Sequence, residues 1–211
     1  MTLILGRKRG MTQLFEEDGT VVPVTVVEAG PCVVTQVRNQ DRDGYDAIQL
    51  GYEDVPDRRA KKPQRIHAQK VGTAPKRFLR EQRLHAPASH EVGAEIRCEE
   101  FEVGALVDVI GTAKGRGFAG TIKRHNFSRG AKTHGCMNYR QPGAIGACAY
   151  PGRVFKGKRM GGHFGADRRT AKNLPIIRVD AGRNLLFVKG SIPGPNGGFV
   201  QVQSAKTGTT K

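Results

Sequence analysis

No tryptophan occurs in this chain of 211 residues, and Phe and Tyr bring the aromatic share only to 6%. So few large rings argue against a sizeable apolar ligand pocket, which aromatic and aliphatic side chains would have to wall. Acidic residues are scarce as well: 19 Asp and Glu stand against 35 Lys and Arg, a formal net charge of +16. An excess of this size points to a polyanionic partner, nucleic acid before an anionic membrane surface. The membrane alternative lacks both an amphipathic helix and an apolar run of about 18 residues. The N-terminal MTLILGRKRG has no long apolar stretch and no small-residue cleavage site, so export is not expected. Cys32, Cys98, Cys136 and Cys148 form no C-x-x-C pair, which suits reduced thiols in a cytoplasm. His134, Cys136 and Cys148, with His125 or His163 as a fourth ligand, match no common zinc spacing, and no metal is expected.

What the chain does have is a series of short apolar stretches of strand character. Thr2–Leu5, Met11–Phe15, Val21–Glu28, Val33–Arg38 and Tyr45–Tyr52 are broken by EEDGT, AGP and NQDRDG, which read as hairpin turns. Strands are expected again at Glu95–Arg97, Ala105–Ile110, Pro175–Asp180, Leu185–Lys189 and Phe199–Ser204, and this spacing favours a small β-barrel. A basic insertion over about 56–90 interrupts the series. Its residues 56–85 hold ten Lys and Arg against Asp57 and Glu81, and a short helix with a cationic outer face is expected over Lys76–Arg83. The expected domains are therefore a barrel of 1–110 plus 174–211 and a long loop of 111–173.

That loop carries fourteen Lys and Arg, thirteen glycines and a single acid, Asp167. Its apolar residues are isolated, so it cannot bury enough surface to offset its ordering entropy, and structureless segments this long are functional or disordered. Glycine lets a backbone approach phosphates closely, while Lys and Arg neutralise them and Arg can also stack on bases. Asn126, Phe127, Asn138 and Tyr139 lie among the cations, which suits folded RNA better than a uniform duplex. The candidate RNA-binding residues are Lys114, Arg116, Lys123, Arg124, His125, Arg129, Lys132, His134, Arg140, Gln141, Arg153, Lys156, Lys158, Arg159, Arg168, Arg169 and Lys172.

Within the loop, GTAKGRGFAG at 111–120 places Gly115, Gly117 and Gly120 in the G-x-G-x-x-G pattern of nucleotide-binding turns. That pattern needs a strand before it, a helix after it and an acid about twenty residues on. The strand is present, but no helical period follows, and no Asp or Glu lies between Asp108 and Asp167. A protein-kinase set and a Walker lysine are missing too. Ser128 beside His125 or His134 has no carboxylate partner, and Glu16-Glu17 and Glu99-Glu100 read as exposed turn charges. No catalysis, cofactor or small-molecule substrate is expected. A nucleotide-dependent enzyme and a free-standing nucleic-acid chaperone are the competing possibilities. Phe118 suits either a lid on the barrel or a base-stacking ring.

ILGRKRGMTQLF at 4–15, VPVTVVEAGPC at 22–32, VDVIGTAKGRGFAGTIKRHNF at 107–127, RQPGAIG at 140–146, PGRVFKGKRMGGHFG at 151–165 and VDAGRNLLFVKGSIPG at 179–194 resemble, in order, the bacterial form of the third protein of the large ribosomal subunit. The resemblance runs along nearly the whole chain. It implies a mainly β fold, a translation-protein type barrel on the solvent side of the subunit, with a glycine-rich loop that passes through rRNA toward the peptidyl-transferase centre. It also implies a cytoplasmic, non-enzymatic protein that binds large-subunit rRNA near its 3′ end early in assembly, beside other large-subunit proteins. The loop tip near the catalytic centre would then be Gly143, Gly146, Ala147, Cys148 and Ala149. Some relatives carry a methylated glutamine just after this G-x-I-G. Here Ala147-Cys148-Ala149-Tyr150 follows, so that modification is not expected.

Overall fold

Apolar side chains on alternate positions, separated by turn residues, fold as strands, and the computed structural model describes twelve of them within residues 2–84 and 90–207. They are β1 (Leu3–Phe15), β2 (Val21–Ala29), β3 (Cys32–Arg38), β4 (Ala47–Asp54), β5 (Lys76–Arg83), β6 (Glu95–Ile96), β7 (Leu106–Thr112), β8 (Phe118–Ala119), β9 (Gly162–His163), β10 (Arg168–Asp180), β11 (Leu185–Lys189) and β12 (Phe199–Ser204). Three short helices join them: α1 (Gln40–Asp43), α2 (Lys62–Val71) and α3 (Thr121–His125). Residues 85–89 of the expected basic insertion and the last residues of the expected barrel, 208–211, lie outside the described set.

Six strands close a barrel in the order β1-β12-β7-β10-β11-β2. Closure works because β1 is long: Leu3–Arg7 pair with β12, and Gly6–Phe15 pair with β2. A closed ladder leaves no barrel edge to aggregate. Ile4, Leu5, Val27, Val107, Val109, Ile176, Leu186, Val188, Val200 and Val202 of the barrel strands are buried in one apolar cluster with Val34, Ile48, Leu50 and Ile96 of a second sheet, ordered β5-β4-β3-β6. The mainly β barrel expected from the turn spacing is thus present.

Several local expectations are corrected. Lys76–Arg83 is not a helix but β5, paired with β4 from Ala47↔Arg83 to Asp54↔Lys76. The ladder and the stacking of Phe78 on Phe199, with ring centroids 4.2 Å apart, override the helix propensity of its Lys, Arg and Glu. The helix of the insertion lies earlier, at α2, with Pro63 in its first turn and the left-handed Gly72 as its cap. NQDRDG holds the single turn of α1 instead of a simple hairpin turn.

Two expected strands, Thr2–Leu5 and Met11–Phe15, are one strand, β1, with a bulge between Lys8 and Gly10. The buried Lys8 Nζ donates there to the carbonyls of Ile192 (3.0 Å) and Gly194 (3.3 Å), pinning the SIPGPNGG loop to the barrel. β10 begins seven residues before Pro175, and its irregularity between Ala171 and Leu174 is held by the buried Asp108 carboxylate, which accepts from the Asn173 amide at 3.0 Å. Contacts divide the chain into two units, Met1–Thr112 with Arg168–Lys211, and Ala113–Asp167.

Candidate nucleic-acid interface

Residues 113–167 contain eleven Lys and Arg and twelve glycines, with Asp167 as the sole acid. The two arms of this segment hold each other at their base. Ala113 N–H donates to Asp167 O (2.9 Å), Arg116 N–H to Phe164 O (2.8 Å) and Phe164 N–H to Gly117 O (2.9 Å), and β8 then pairs with β9 through Phe118↔His163 and Ala119↔Gly162. Gly165 makes the approach possible. Its φ is +73°, and a Cβ there would sit 2.3 Å from the Lys114 carbonyl oxygen, so no other residue fits without moving the opposite arm.

This pairing also disposes of the nucleotide-cradle reading of GTAKGRGFAG. The Arg116 amide, in the middle of the motif, is committed to Phe164, and Phe118–Ala119 are tied into a two-strand ladder. A helix does follow Gly120, where the sequence showed no helical period, but α3 is five residues long and ends at the left-handed Asn126. Its last turn acts as a clasp: Arg124 Nη1 donates to Met160 O at 2.8 Å, and His125 Nε2 lies 3.0 Å from the same carbonyl and must be its donor form. The guanidinium lies against Gly162, where a Cβ would be 2.7 Å from Nη1. Arg124 and His125 are therefore half-buried, and part of their capacity serves the segment itself.

The other candidates in the segment, Lys114, Arg116, Lys123, Arg129, Lys132, His134, Arg140, Gln141, Arg153, Lys156, Lys158 and Arg159, are exposed. Three of the arginines lie over aromatic rings of their own segment: Arg116 over Phe164 (5.8 Å), Arg129 over Tyr139 (5.9 Å) and Arg153 over Phe155 (5.3 Å). Arg129 Nη1 also donates to the Tyr139 hydroxyl at 3.2 Å, while Gly130 N–H to Tyr139 O closes the intervening loop. A guanidinium held over a ring by its quadrupole still has donors left for a phosphate. Arg168, Arg169 and Lys172 are exposed but stand on barrel strand β10. The tip residues Gly143, Gly146, Ala147, Cys148 and Ala149 are all exposed.

Exposed apolar residues complete the picture, and sequence reasoning did not single most of them out. Met137 is 93%, Tyr150 91%, Phe118 83% and Phe155 60% exposed. Phe118 stands on β8 with its ring exposed. The available signal was negative, single large apolar residues with no period of 2 or 3.6 to bury them. Cys136 and Cys148 are exposed free thiols, and among the described residues no cluster of three or more His, Cys, Asp or Glu could hold a metal.

A family model described as Ribosomal protein L3 matches residues 85–201. Among similar chains named large ribosomal subunit protein uL3, that of Acidothermus cellulolyticus is 53% identical over 206 residues, covering 97% of this chain and 93% of the relative. The corresponding chain of Geobacillus sp. (strain WCH70) is 54% identical, covering 96% of this chain and 95% of its own length, and that of Crocosphaera subtropica is 49% identical, covering 96% of each.

Proposed function

Since the chain belongs to the ribosomal protein L3 family, whose members are structural and non-enzymatic constituents of the large ribosomal subunit, we propose that its 113–167 segment is the part that penetrates and organises the rRNA. Membership sets aside the nucleotide-dependent enzyme and the free-standing chaperone, and gives the chain its place in the cytoplasm, in the subunit, among rRNA and other ribosomal proteins.

One observation carries the rRNA reading: eleven cations share a single acid in a segment whose Met137, Tyr150 and Phe118 side chains are almost fully exposed. Such a segment is complete only when something else supplies both negative charge and flat apolar faces. Folded RNA supplies both, as phosphates and as unstacked bases. Arg116, Arg129 and Arg153 on their rings serve phosphates and bases, the lysines serve phosphates, and the clasp of Arg124 and His125 on Met160 keeps the arms together.

The uncharged tip QPGAIGACA at 141–149 is suited to a place where packed RNA leaves room only for small side chains, with Arg140 and Arg153 flanking it. We infer that this place is close to the peptidyl-transferase centre, as the resemblance of the loop motifs implies. Binding near the 3′ end of the large rRNA and an early role in subunit assembly belong to the same proposal.

The test is hydroxyl-radical footprinting of large-subunit rRNA with the full chain and with the triple variant Lys156→Gln/Lys158→Gln/Arg159→Gln. The variant is expected to lose protection over a contiguous RNA segment while its unfolding midpoint stays put. An unchanged footprint and affinity would show that these cations are a solvated surface. For the tip, bulky replacements at Cys148 or Ala149 are expected to change the response of ribosomes to inhibitors of peptidyl transfer, and no change with any of several such inhibitors counts against the placement.

A further inference from the structure

The charge of the barrel unit is not evenly spread. Outside residues 56–85 and 111–173 the chain carries eleven Lys and Arg against sixteen Asp and Glu, whereas 56–85 alone holds ten against two. The barrel is thus acidic except where its insertion makes it strongly basic, and α2 and the turn before it expose Arg58, Arg59, Lys61, Lys62 and Arg65.

At one end of this insertion, β5 organises arginines on aromatic rings. Phe78 is stacked on Phe199 of the barrel strand β12. Arg7 and Arg77 both lie over the Phe78 ring, at 5.7 and 5.4 Å from its centroid, and Arg80 lies 5.4 Å from that of Phe199. Glu53, in the left-handed region at φ 62°, holds two of the three: its carboxylate takes Arg7 at 2.6 Å and Arg77 at 3.1 Å. Burial alone would raise this carboxyl, but the hydrogen bonds and charges of Arg7 and Arg77 outweigh it and hold it below the usual carboxylate value. One carboxylate against three guanidiniums leaves an excess of two positive charges on a rigid platform. Among the described residues β5 is also the outermost strand of its sheet, with β4 as its one ladder partner, so this platform lies at the edge of that sheet.

We propose that this platform is a second RNA-phosphate site, with Arg77 and Arg80 as the contacting residues and Arg7, Glu53, Phe78 and Phe199 as their support. The site lies in the barrel unit, apart from the 113–167 segment in sequence, and the inference rests on the rRNA reading above. Arg77 and Arg80, three residues apart, leave β5 on opposite faces, but both guanidiniums turn back to the one Phe78–Phe199 ring pair, which brings them within reach of a single RNA backbone. RNA fits better than a protein surface because protein interfaces centre on buried apolar anchors. Among the described residues of 56–84 only Ile66 is an exposed large apolar side chain.

The experiment measures binding of the full chain to transcribed large-subunit rRNA over a range of salt concentrations, for wild type, Arg77→Gln/Arg80→Gln, Arg77→Lys/Arg80→Lys and the loop triple variant above. The Gln pair is expected to weaken binding about tenfold at 0.15 M salt and to make the slope of log K against log salt shallower by roughly 1.4 to 1.8, two phosphates' worth. It should also uncover an RNA segment different from that uncovered by the loop variant, and the Lys pair should restore most of the slope. A Gln pair that binds, titrates with salt and footprints like wild type while the loop variant weakens overturns this site alone. A Gln pair that binds rRNA normally but fails to enter subunits overturns it too, assigning the platform to a protein neighbour. If loop and platform variants are both inert, the rRNA reading itself fails.

Discussion

In the barrel unit Arg7, Arg38 and Lys76 each have a carboxylate within 3.0 Å, from Glu53, Asp43 and Glu81, and Asp54 respectively. In residues 113–167 eleven cations share Asp167 as their only acid and turn instead to backbone carbonyls, a phenol and ring faces. Apolar residues divide the same way. Ile4, Leu50, Ile176 and Leu186 are fully buried in the first unit, while Met137, Tyr150 and Phe118 of the second are left open. Apart from its basic insertion at α2 and β5, the barrel unit meets many of its cations with its own carboxylates and buries its own apolar core. The segment has a defined base, a clasp and a few ring pairs, but it leaves most of its cations and its Met137, Tyr150 and Phe118 side chains exposed.

The largest consequence of this contrast is in salt dependence. If the segment neutralises eight or so phosphates, log K for rRNA falls against log salt with a slope of roughly −6 to −7, so affinity drops by about 10³ to 10⁴ between 50 and 200 mM salt. The barrel's unfolding midpoint should barely move over that range, because exposed ion pairs contribute little. Filter binding and urea denaturation at matched salt concentrations measure both. Parallel losses of affinity and stability would mean that the two units do not differ as described.

A second contrast sets core against open side chains. Leu186→Ala removes a fully buried side chain and is expected to cost about 2 to 5 kcal/mol. Met137→Ala, at 93% exposure, is expected to change stability by less than about 0.5 kcal/mol in the isolated protein, yet to weaken rRNA binding. A Met137→Ala protein with a markedly lower unfolding free energy would place that residue in a core that the structure does not contain.

The barrel was legible because period-2 runs and turn residues report strands directly. Leu185–Lys189 and Phe199–Ser204 were delimited to the residue. What escaped was set by partners distant in sequence. KRFLREQR has the composition of a helix and becomes β5 only because β4 offers a ladder and Phe199 a ring. β1 reads as two strands because its bulge at Lys8 is stabilised by carbonyls nearly two hundred residues on. In the loop, charge and glycine content marked the candidate residues. They could not tell that Arg124 and His125 close on Met160, or that the amide of Arg116 is taken by Phe164. Those depend on how two arms separated by forty residues meet.

The smallest expected effect, confined to the barrel unit, is on its alkaline limit. Cys32 is buried with its sulfur against the Leu5 backbone, and desolvation pushes its thiol from 9.0 up to about 12, against a lowering hydrogen bond from Leu5. Tyr52 is likewise pushed from 10.0 to about 12, first by burial and then by the nearby Glu28. Both groups stay protonated in the folded state at pH values where the unfolded chain has released those protons. The folded state therefore binds more protons, and stability falls as pH rises above about 9, by at most about 1.4 kcal/mol per pH unit for each group. Below about pH 8 neither group contributes an appreciable slope. Urea denaturation at pH 8 and pH 10.5 should show a loss of up to about 3 kcal/mol in the wild type, and Cys32→Ala should remove the larger part of it, which sets in first, around the ordinary thiol value of 9.0. Its overall stability will be lower from lost packing, but the slope is a separate readout. A Cys32→Ala protein whose stability declines with pH as steeply as wild type, from the same onset, would show that the alkaline limit is set elsewhere, with the dense cations of 113–167 the first place to look.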